Sequence, residues 1–137
     1  MIELNNKTKL IFLDREWIRR MEEAGIDMSD ATYYITNVSG TDYITIGNPK
    51  SGNPKPTYSV NDIMDKLPDW IYPRIDDVYF SGGFQLLKGE YNQYCCYYHL
   101  RNTVGKELID WISSEFGTLI ECLASLLIQC HNKKMLQ

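Results

Sequence analysis

The sequence predicts an α+β domain: an antiparallel meander of three to four strands packed by a C-terminal helix, with an N-terminal helix and a small hairpin attached. The main observation is an apolar stripe at helical spacing near the C-terminus. A second is a series of aromatic and β-branched runs between residues 75 and 100, separated by short glycine turns. A third is an amphipathic segment close to the N-terminus.

The N-terminal segment predicts a helix over residues 15–24. Asp14 is a favourable residue for the N-cap, and Gly25 suits the position just after the last turn. The apolar side chains between them recur at helical spacing: Trp17, Ile18, Met21 and Ala24. Residues 8–13, before this helix, are predicted to form a short strand.

Two β-rich runs, residues 32–36 and 43–46, predict a small hairpin that turns at Ser39-Gly40. Residues 47–56 contain the unit Gly-Asn-Pro-Lys twice and three prolines, which exclude a helix and an inner strand. We therefore expect 47–56 to be an exposed loop within a single domain that spans residues 1–137.

A short helix is predicted after this loop, over residues 60–67. Ser59 is a suitable N-cap, and Pro68 ends the helix. Its apolar members are spaced as on one helical face: Val60, Ile63, Met64 and Leu67.

The meander follows the short helix. Residues 75–80 predict a strand, Gly82-Gly83 a turn, and residues 84–87 the strand that pairs back. A longer strand is predicted over residues 91–100, so that three strands are joined by short turns. Residues 107–112 fit either a fourth strand or a helical turn.

The closing helix is predicted over residues 115–131, with Ser113 or Ser114 as its N-cap. Each large apolar side chain that it buries contributes about 1.5–3 kcal/mol before conformational entropy is subtracted. We expect it to be the central element of the core. Its stripe follows the helical repeat without a gap: Phe116, Leu119, Ile120, Leu123, Leu126, Leu127 and Cys130.

Composition and charge disfavour several classes of protein. A chain of 137 residues with 44% apolar content can bury a core without disulfides or a metal. The net charge of −4 disfavours nucleic acid as a partner, because a duplex binder needs several Lys and Arg side chains on one face. No run approaches the ~20 apolar residues of a membrane span. The chain has four cysteines, and two of them are adjacent and therefore poorly placed to bridge each other. This pattern favours reduced thiols, so we expect a cytoplasmic protein.

A phosphate-binding loop is not indicated. Gly47 and Gly52 have the required separation, but Asn53-Pro54 follow where the motif needs Lys and then Ser or Thr. The prolines also block the helix that should begin there.

Cysteine chemistry is equally unsupported by the spacing. Cys95 and His99 share one face of a predicted strand, but roughly 13 Å of strand separates them, whereas a nucleophile and its base must approach ~3 Å. Cys122 and Cys130 lie ~12 Å apart along a helix, too far to share one zinc. We therefore expect no catalytic residue, no metal site and no cofactor.

Tyrosine is the unusual feature, with ten in the chain. The strand that contains residues 94–99 carries aromatic side chains on both faces. One face is expected to meet the C-terminal helix: Tyr94, Cys96 and Tyr98. The other face needs a cover, which could be the first helix, a second subunit or a ligand: Cys95, Tyr97 and His99. Tyrosine is favoured at interfaces, and ordinary cross-strand packing is the simpler explanation.

The order of these elements resembles a broad set of small uncharacterised proteins encoded in gut Bacteroidetes genomes, their prophages and mobile elements. The resemblance covers roughly residues 10 to 130 and rests on structural motifs. It implies an accessory protein of a mobile element that acts by binding, and it assigns no functional residue. The segments that carry it are Glu23-Ala24-Gly25-Ile26, Pro56-Thr57-Tyr58-Ser59, Ile63-Met64-Asp65-Lys66-Leu67-Pro68, Tyr97-Tyr98 and residues 119–127.

Three functions are left open by the sequence. The first is a non-enzymatic binding or interaction module, for which Tyr97, His99, Lys50 and Lys55 are the candidate contact residues. The second is a binder or sponge for a nucleotide-like small molecule, held in an aromatic-lined pocket, with a homo-oligomer as one arrangement. The third is an enzyme with a dispersed site: Cys95, His99 and Asp110.

Overall fold

The structure, a computed structural model, describes residues 1–136. It confirms the α+β class, with a C-terminal helix on an antiparallel sheet and an N-terminal helix followed by a hairpin. Among the described residues the elements are β1 (Ile2–Glu3), α1 (Arg15–Glu23), β2 (Tyr33–Val38), β3 (Thr41–Ile46), β4 (Lys55–Thr57), α2 (Val60–Lys66), β5 (Trp70–Ile71), β6 (Arg74–Ile75), β7 (Val78–Tyr79), β8 (Ser81–Lys88), β9 (Tyr94–Arg101), β10 (Glu107–Leu108) and α3 (Leu119–Asn132).

The first helix begins as predicted, because Asp14 Oδ1 accepts a hydrogen bond from the Trp17 N–H at 3.1 Å. The strand predicted over residues 8–13 is wrong. Residues 8–10 form a 3₁₀ turn instead, because the side chains of Asn5 and Thr8 accept hydrogen bonds from main-chain N–H groups at its start. Asn5 Oδ1 accepts from the Lys7 N–H at 2.9 Å, and Thr8 Oγ1 accepts from the Asn5 N–H at 2.7 Å.

The first sheet has the strand order β1-β3-β2-β4 and contains the predicted hairpin. Ser39 and Gly40 both have positive φ angles, 51° and 87°, a combination that matches the twist of the flanking strands. The loop prediction for 47–56 is wrong at its end. Lys55 and Pro56 lie in β4, an edge strand, where a proline need not donate to a further strand.

The second sheet has the order β10-β9-β8-β5, and its members differ from the predicted meander. The strand predicted over 75–80 is wrong, because the chain reverses between β6 and β7 at Asp76 and Asp77, both with positive φ. Gly82-Gly83 do not form a turn but lie inside β8. A Cβ atom on Gly82 would lie only 1.9 Å from the His99 carbonyl oxygen, so the close approach of β9 explains this glycine.

The remaining strands are close to the prediction. The strand expected over residues 91–100 is present as β9 but begins later, at Tyr94, because residues 90–92 form a 3₁₀ turn between β8 and β9. The open question over 107–112 is answered by a two-residue strand, β10, followed by an irregular segment.

The closing helix begins at Leu119, later than predicted. Its N-cap is Thr118, in a capping box with Glu121, and not Ser113 or Ser114. The Ser114 side chain instead contacts β9, where its hydroxyl accepts a hydrogen bond from the Cys96 N–H at 2.9 Å. The segment before α3 thus runs beside β9 instead of joining the helix.

One core joins all layers, and α3 lies at its centre against β9, α1 and α2. Tyr98 of β9 is fully buried, and its hydroxyl donates to the Pro68 carbonyl oxygen at 2.6 Å. None of the helices found in residues 1–136 has the length and apolar character needed to cross a membrane. The most buried members of α3 are Ile120, Cys122, Leu123, Ala124, Leu126, Leu127 and Cys130.

Candidate functional site

The second sheet has a covered and an uncovered face. α3 packs against β9 on the inner face, where Cys96, Tyr98 and Leu100 are buried as the sequence predicts for the first two. Paired residues of an antiparallel sheet point to the same side, so the register defines the opposite, outer face. The outer face comprises Trp70, Ser81, Gly83, Gln85, Leu87, Cys95, Tyr97, His99, Arg101 and Glu107.

The Trp70 ring lies over Gly83 on the outer face, because Gly83 has no side chain to displace it. A Cβ atom on Gly83 would lie 2.9 Å from Cε3 of the indole ring. The residue as a whole is nevertheless 52% exposed. The result is a large aromatic surface that is held against the sheet on one side and open to solvent on the other.

A polar cluster lies next to this ring. Arg101 Nε is 2.9 Å from Glu107 Oε1, and His99 Nε2 is 3.5 Å from the same oxygen. His99 Nε2 is shielded from solvent and makes no hydrogen bond of good geometry within residues 1–136. The Glu107 carboxylate on β10 thus holds Arg101 directly and lies within 3.5 Å of the ring nitrogen of His99.

Two of the four predicted contact residues lie together on this face. Tyr97 and His99 are half-buried neighbours on β9. The two lysines lie in or beside the first sheet: Lys50 in the exposed loop, and Lys55 in β4, where its ammonium lies 3.2 Å from Glu22 Oε1. The structure therefore does not bring the lysines to the outer face.

Sequence reasoning missed three prominent residues of the outer face: Trp70, Leu87 and Arg101. Arg101 could have been found, because it continues the two-residue alternation of Tyr97 and His99. Leu87 was assigned to a strand, but its face was not. Nothing in the sequence indicates that Trp70 lies over Gly83, since this depends on the pairing of β5 with β8.

Of the three covers that the sequence left open for the outer face, the structure excludes only the first helix. α1 packs against β4 and α3 instead. Cys95 is buried by the segment before α3, with its thiol 3.6 Å from the Ser114 carbonyl oxygen. Leu87 beside it remains 54% exposed. Most of the outer face is thus uncovered in the described protomer.

Two of the four buried thiols, those of Cys96 and Cys130, are poorly suited to nucleophilic chemistry. Hydrogen bonding to Cys122, together with burial, raises the pKa of Cys96. Burial also raises the pKa of Cys130 to about 12. Both groups therefore keep their protons at neutral pH, and the thiolate is the reactive form.

Two clefts offer alternative sites. The larger, about 580 Å³, lies between the α1–β2 connection, the end of α2 and α3. It is lined by apolar side chains and by polar groups that include Asp27, Asp65 and His131. The second, about 370 Å³, lies beside the outer face between Tyr72 and Tyr79 and reaches Arg101. Both volumes are within the range of small-molecule sites.

Comparisons with protein-family models, curated proteins and solved structures find no match for this chain. Within residues 1–136, no group of three or more His, Cys, Asp or Glu side chains is placed to hold a metal ion. The outer face and the clefts are the features from which a function can be inferred.

Proposed function

We propose that this chain is a non-enzymatic protein-binding module and that the outer face of the second sheet is its contact surface. The observation that carries the proposal is the solvent-exposed Trp70, whose indole is held over Gly83, the cross-strand partner of His99, on the same face as Tyr97. Trp, Tyr and Arg are the residue types that dominate binding energy at protein interfaces, and Trp70, Tyr97 and Arg101 place one of each on this face.

The arrangement favours binding over catalysis. The enzyme hypothesis needs Cys95, His99 and Asp110 to converge. Instead the Cys95 thiol contacts the Ser114 carbonyl oxygen, and His99 lies near Glu107. The setting we propose is a cytoplasmic accessory protein of a phage or mobile element that acts on a host protein. Its support is the sequence resemblance and four buried thiols that form no disulfide.

The second candidate function is a small-molecule binder. It is favoured by the cleft between Tyr72 and Tyr79, in which a planar anionic ligand could stack on a ring and approach Arg101. The cleft is open and its two tyrosines are largely exposed, so we rank this function below protein binding.

Site-specific photo-crosslinking in the host cell tests the proposal. A photoreactive phenylalanine replaces Tyr97, and in a matched control it replaces Tyr91, which is almost fully exposed in the β8–β9 connection. We expect a discrete protein adduct from position 97 and none from position 91. The adduct is identified, and its affinity is then measured with purified proteins.

Alanine variants test whether the outer face is the surface that binds the partner protein. Trp70→Ala and Tyr97→Ala should each weaken the purified complex by at least about tenfold, whereas Tyr91→Ala should not, since central aromatic residues carry most interface energy. Equal affinity of all three variants contradicts the proposal. Native mass spectrometry that finds a bound small molecule in the wild type but not in Tyr79→Ala would favour the second candidate.

A further inference from the structure

β8 has one edge that is largely unpaired. On one side all eight of its residues pair with β9, from Ser81↔Arg101 to Lys88↔Tyr94. On the other side β5 covers only Gly82 and Gly83. A further bond joins the Phe84 N–H to the Asp69 carbonyl oxygen at 3.0 Å, and there the contact between β5 and β8 ends. Residues 85–88 are all exposed, and we call them the open edge.

The direction of the main-chain groups follows from the register. The Phe84 N–H points away from β9, and the Tyr98 N–H opposite it points away from β8 towards the Ile112 carbonyl oxygen. Phe84↔Tyr98 is therefore a pair without mutual hydrogen bonds. Because such pairs alternate in an antiparallel ladder, Leu86 and Lys88 also direct their N–H and C=O groups outward. No hydrogen-bond partner for these groups occurs within residues 1–136.

The chain itself leaves this edge vacant for a local reason. Before Asp69 comes Pro68, which has no N–H to donate. The Pro68 carbonyl oxygen accepts the Tyr98 hydroxyl at 2.6 Å on the inner face. The chain that precedes Asp69 leads directly back to the end of α2 at Lys66, so β5 does not extend along residues 85–88.

Resting on the proposed function, we propose that the open edge binds an extended segment of the partner protein as an added antiparallel strand in line with β5. Unpaired N–H and C=O groups in a row are the feature that strand addition uses. Antiparallel pairing matches the rest of the sheet and is slightly more stable per residue than parallel pairing. The residue opposite Leu86 would exchange two hydrogen bonds with it.

Side chains and charge define the incoming segment. Leu87 is 54% exposed on the outer face and Leu86 is 46% exposed on the inner face, so apolar residues fit opposite both. Lys88 forms no ion pair within residues 1–136, which favours an acidic residue at the start of the added strand. A second copy of this chain fits less well. If the open edges of two copies paired antiparallel, Lys88 of each copy would lie opposite Leu86 of the other, so a charged side chain would face an apolar one.

Amide hydrogen exchange, measured by NMR on the full chain, tests whether the open edge is unpaired in the free protein. In the free protein at low concentration, the amides of Leu86 and Lys88 should exchange fast, and those of Gln85 and Leu87, which face β9, should exchange slowly. A slow Leu86 amide in the dilute protein would overturn the inference. Slow exchange only at high protein concentration would identify a second copy as the occupant and would also overturn it.

Synthetic peptides test the occupant. The probe is acetyl-Glu-Tyr-Val-Thr-amide, which places Glu opposite Lys88 and Val opposite Leu86. Added at saturating concentration, it should slow the Leu86 and Lys88 amides. Replacing its Glu by Lys should weaken binding by about fivefold. N-methylation of the Val nitrogen should abolish binding, because it removes the donor to the Leu86 carbonyl oxygen. A probe that leaves both amides fast, or whose N-methylated form binds equally well, refutes strand addition.

A variant pair removes the donor on the protein side. Leu86→Pro and Leu86→Ala both lose the leucine side chain, but only the proline variant loses the N–H. Since that N–H has no partner within the fold, both variants should fold, as checked by circular dichroism, and only Leu86→Pro should fail to bind the probe. Equal binding by the two variants contradicts the inference. If the peptides fail while Trp70→Ala still weakens the purified complex, strand addition is wrong and the proposed function stands.

Discussion

Gly82 offers the sharpest test of how β8 and β9 pair. An alanine Cβ at this position would lie 1.9 Å from the His99 carbonyl oxygen and 2.9 Å from the Leu100 Cα, where ordinary contacts are 3.4 Å or more. Both obstacles are main-chain atoms, so β8 and β9 must separate by more than 1 Å. We therefore expect Gly82→Ala to damage the ladder on both sides of the substitution.

The size of the effect follows from the bonds at risk. The flanking pairs Ser81↔Arg101 and Gly83↔His99 exchange up to four hydrogen bonds, each worth about 1 kcal/mol. Alanine recovers about 0.4–1 kcal/mol through the lower entropy of the unfolded chain. The net loss in the free energy of unfolding is therefore up to about 3–3.5 kcal/mol. At an unfolding entropy of ~2.1 cal/mol/K per residue, this lowers Tm by up to roughly 10–12 °C.

Urea and thermal unfolding followed by circular dichroism measure this loss, with two glycines as controls. Gly89 has φ −96° and its nearest obstacle lies 3.6 Å away, so Gly89→Ala should be neutral or slightly stabilising. At Gly83 the obstacle is the Trp70 ring, which can rotate, so Gly83→Ala should cost less than about 1.5 kcal/mol and change tryptophan fluorescence. A Gly82→Ala protein as stable as Gly89→Ala would refute the reasoning.

Three further predictions concern buried bonds, a helix cap and acid stability. Tyr98→Phe removes the 2.6 Å hydrogen bond to the Pro68 carbonyl oxygen and should lower the free energy of unfolding in urea by about 1–2 kcal/mol, while Tyr97→Phe on the outer face should change it by less than about 0.5 kcal/mol. Thr118→Ala removes the N-cap of α3 and should cost about 1 kcal/mol in the same assay, and Ser113→Ala, at a position first expected to be a cap, should cost less. A hydrogen bond from Lys66 and a second from Tyr58 hold the pKa of Asp30 below its ordinary value of 3.8. The stabilisation by the Asp30 carboxylate is therefore fully present above pH ~4 and is lost as the pH falls through the lowered pKa, so the difference in urea midpoint between wild type and Asp30→Asn should shrink from pH 7 to pH 3; a difference that does not change with pH would contradict this assignment.

The helices were predictable because their signals are local. Asp14 and Ser59 cap α1 and α2 as the sequence suggests, since an N-cap bonds to main chain three residues away. The start of α3 was misplaced because Ser113, Ser114 and Thr118 are all plausible caps. The box of Thr118 with Glu121 was the signal that could have decided among them.

The errors in the strands have tertiary causes. Two adjacent glycines indicate a turn, but Gly82 and Gly83 are needed because the β9 main chain and an indole ring approach β8 closely. Local composition cannot report either approach. The candidate site could be predicted only in part. The alternation along β9 is a local signal, and it identifies Tyr97 and His99. Trp70 lies on the same face only because β5 pairs with β8, which the local sequence does not show.

The position of α3 has a consequence for the order in which the protein can fold during synthesis. Both four-stranded sheets, α1 and α2 precede α3 in the chain, yet their apolar surfaces meet on this helix. A ribosome-bound chain that has not yet released residues 119–132 therefore exposes much of its future interior. We expect the nascent domain to stay open to chaperones and proteases until this helix emerges, and then to close in a single cooperative step.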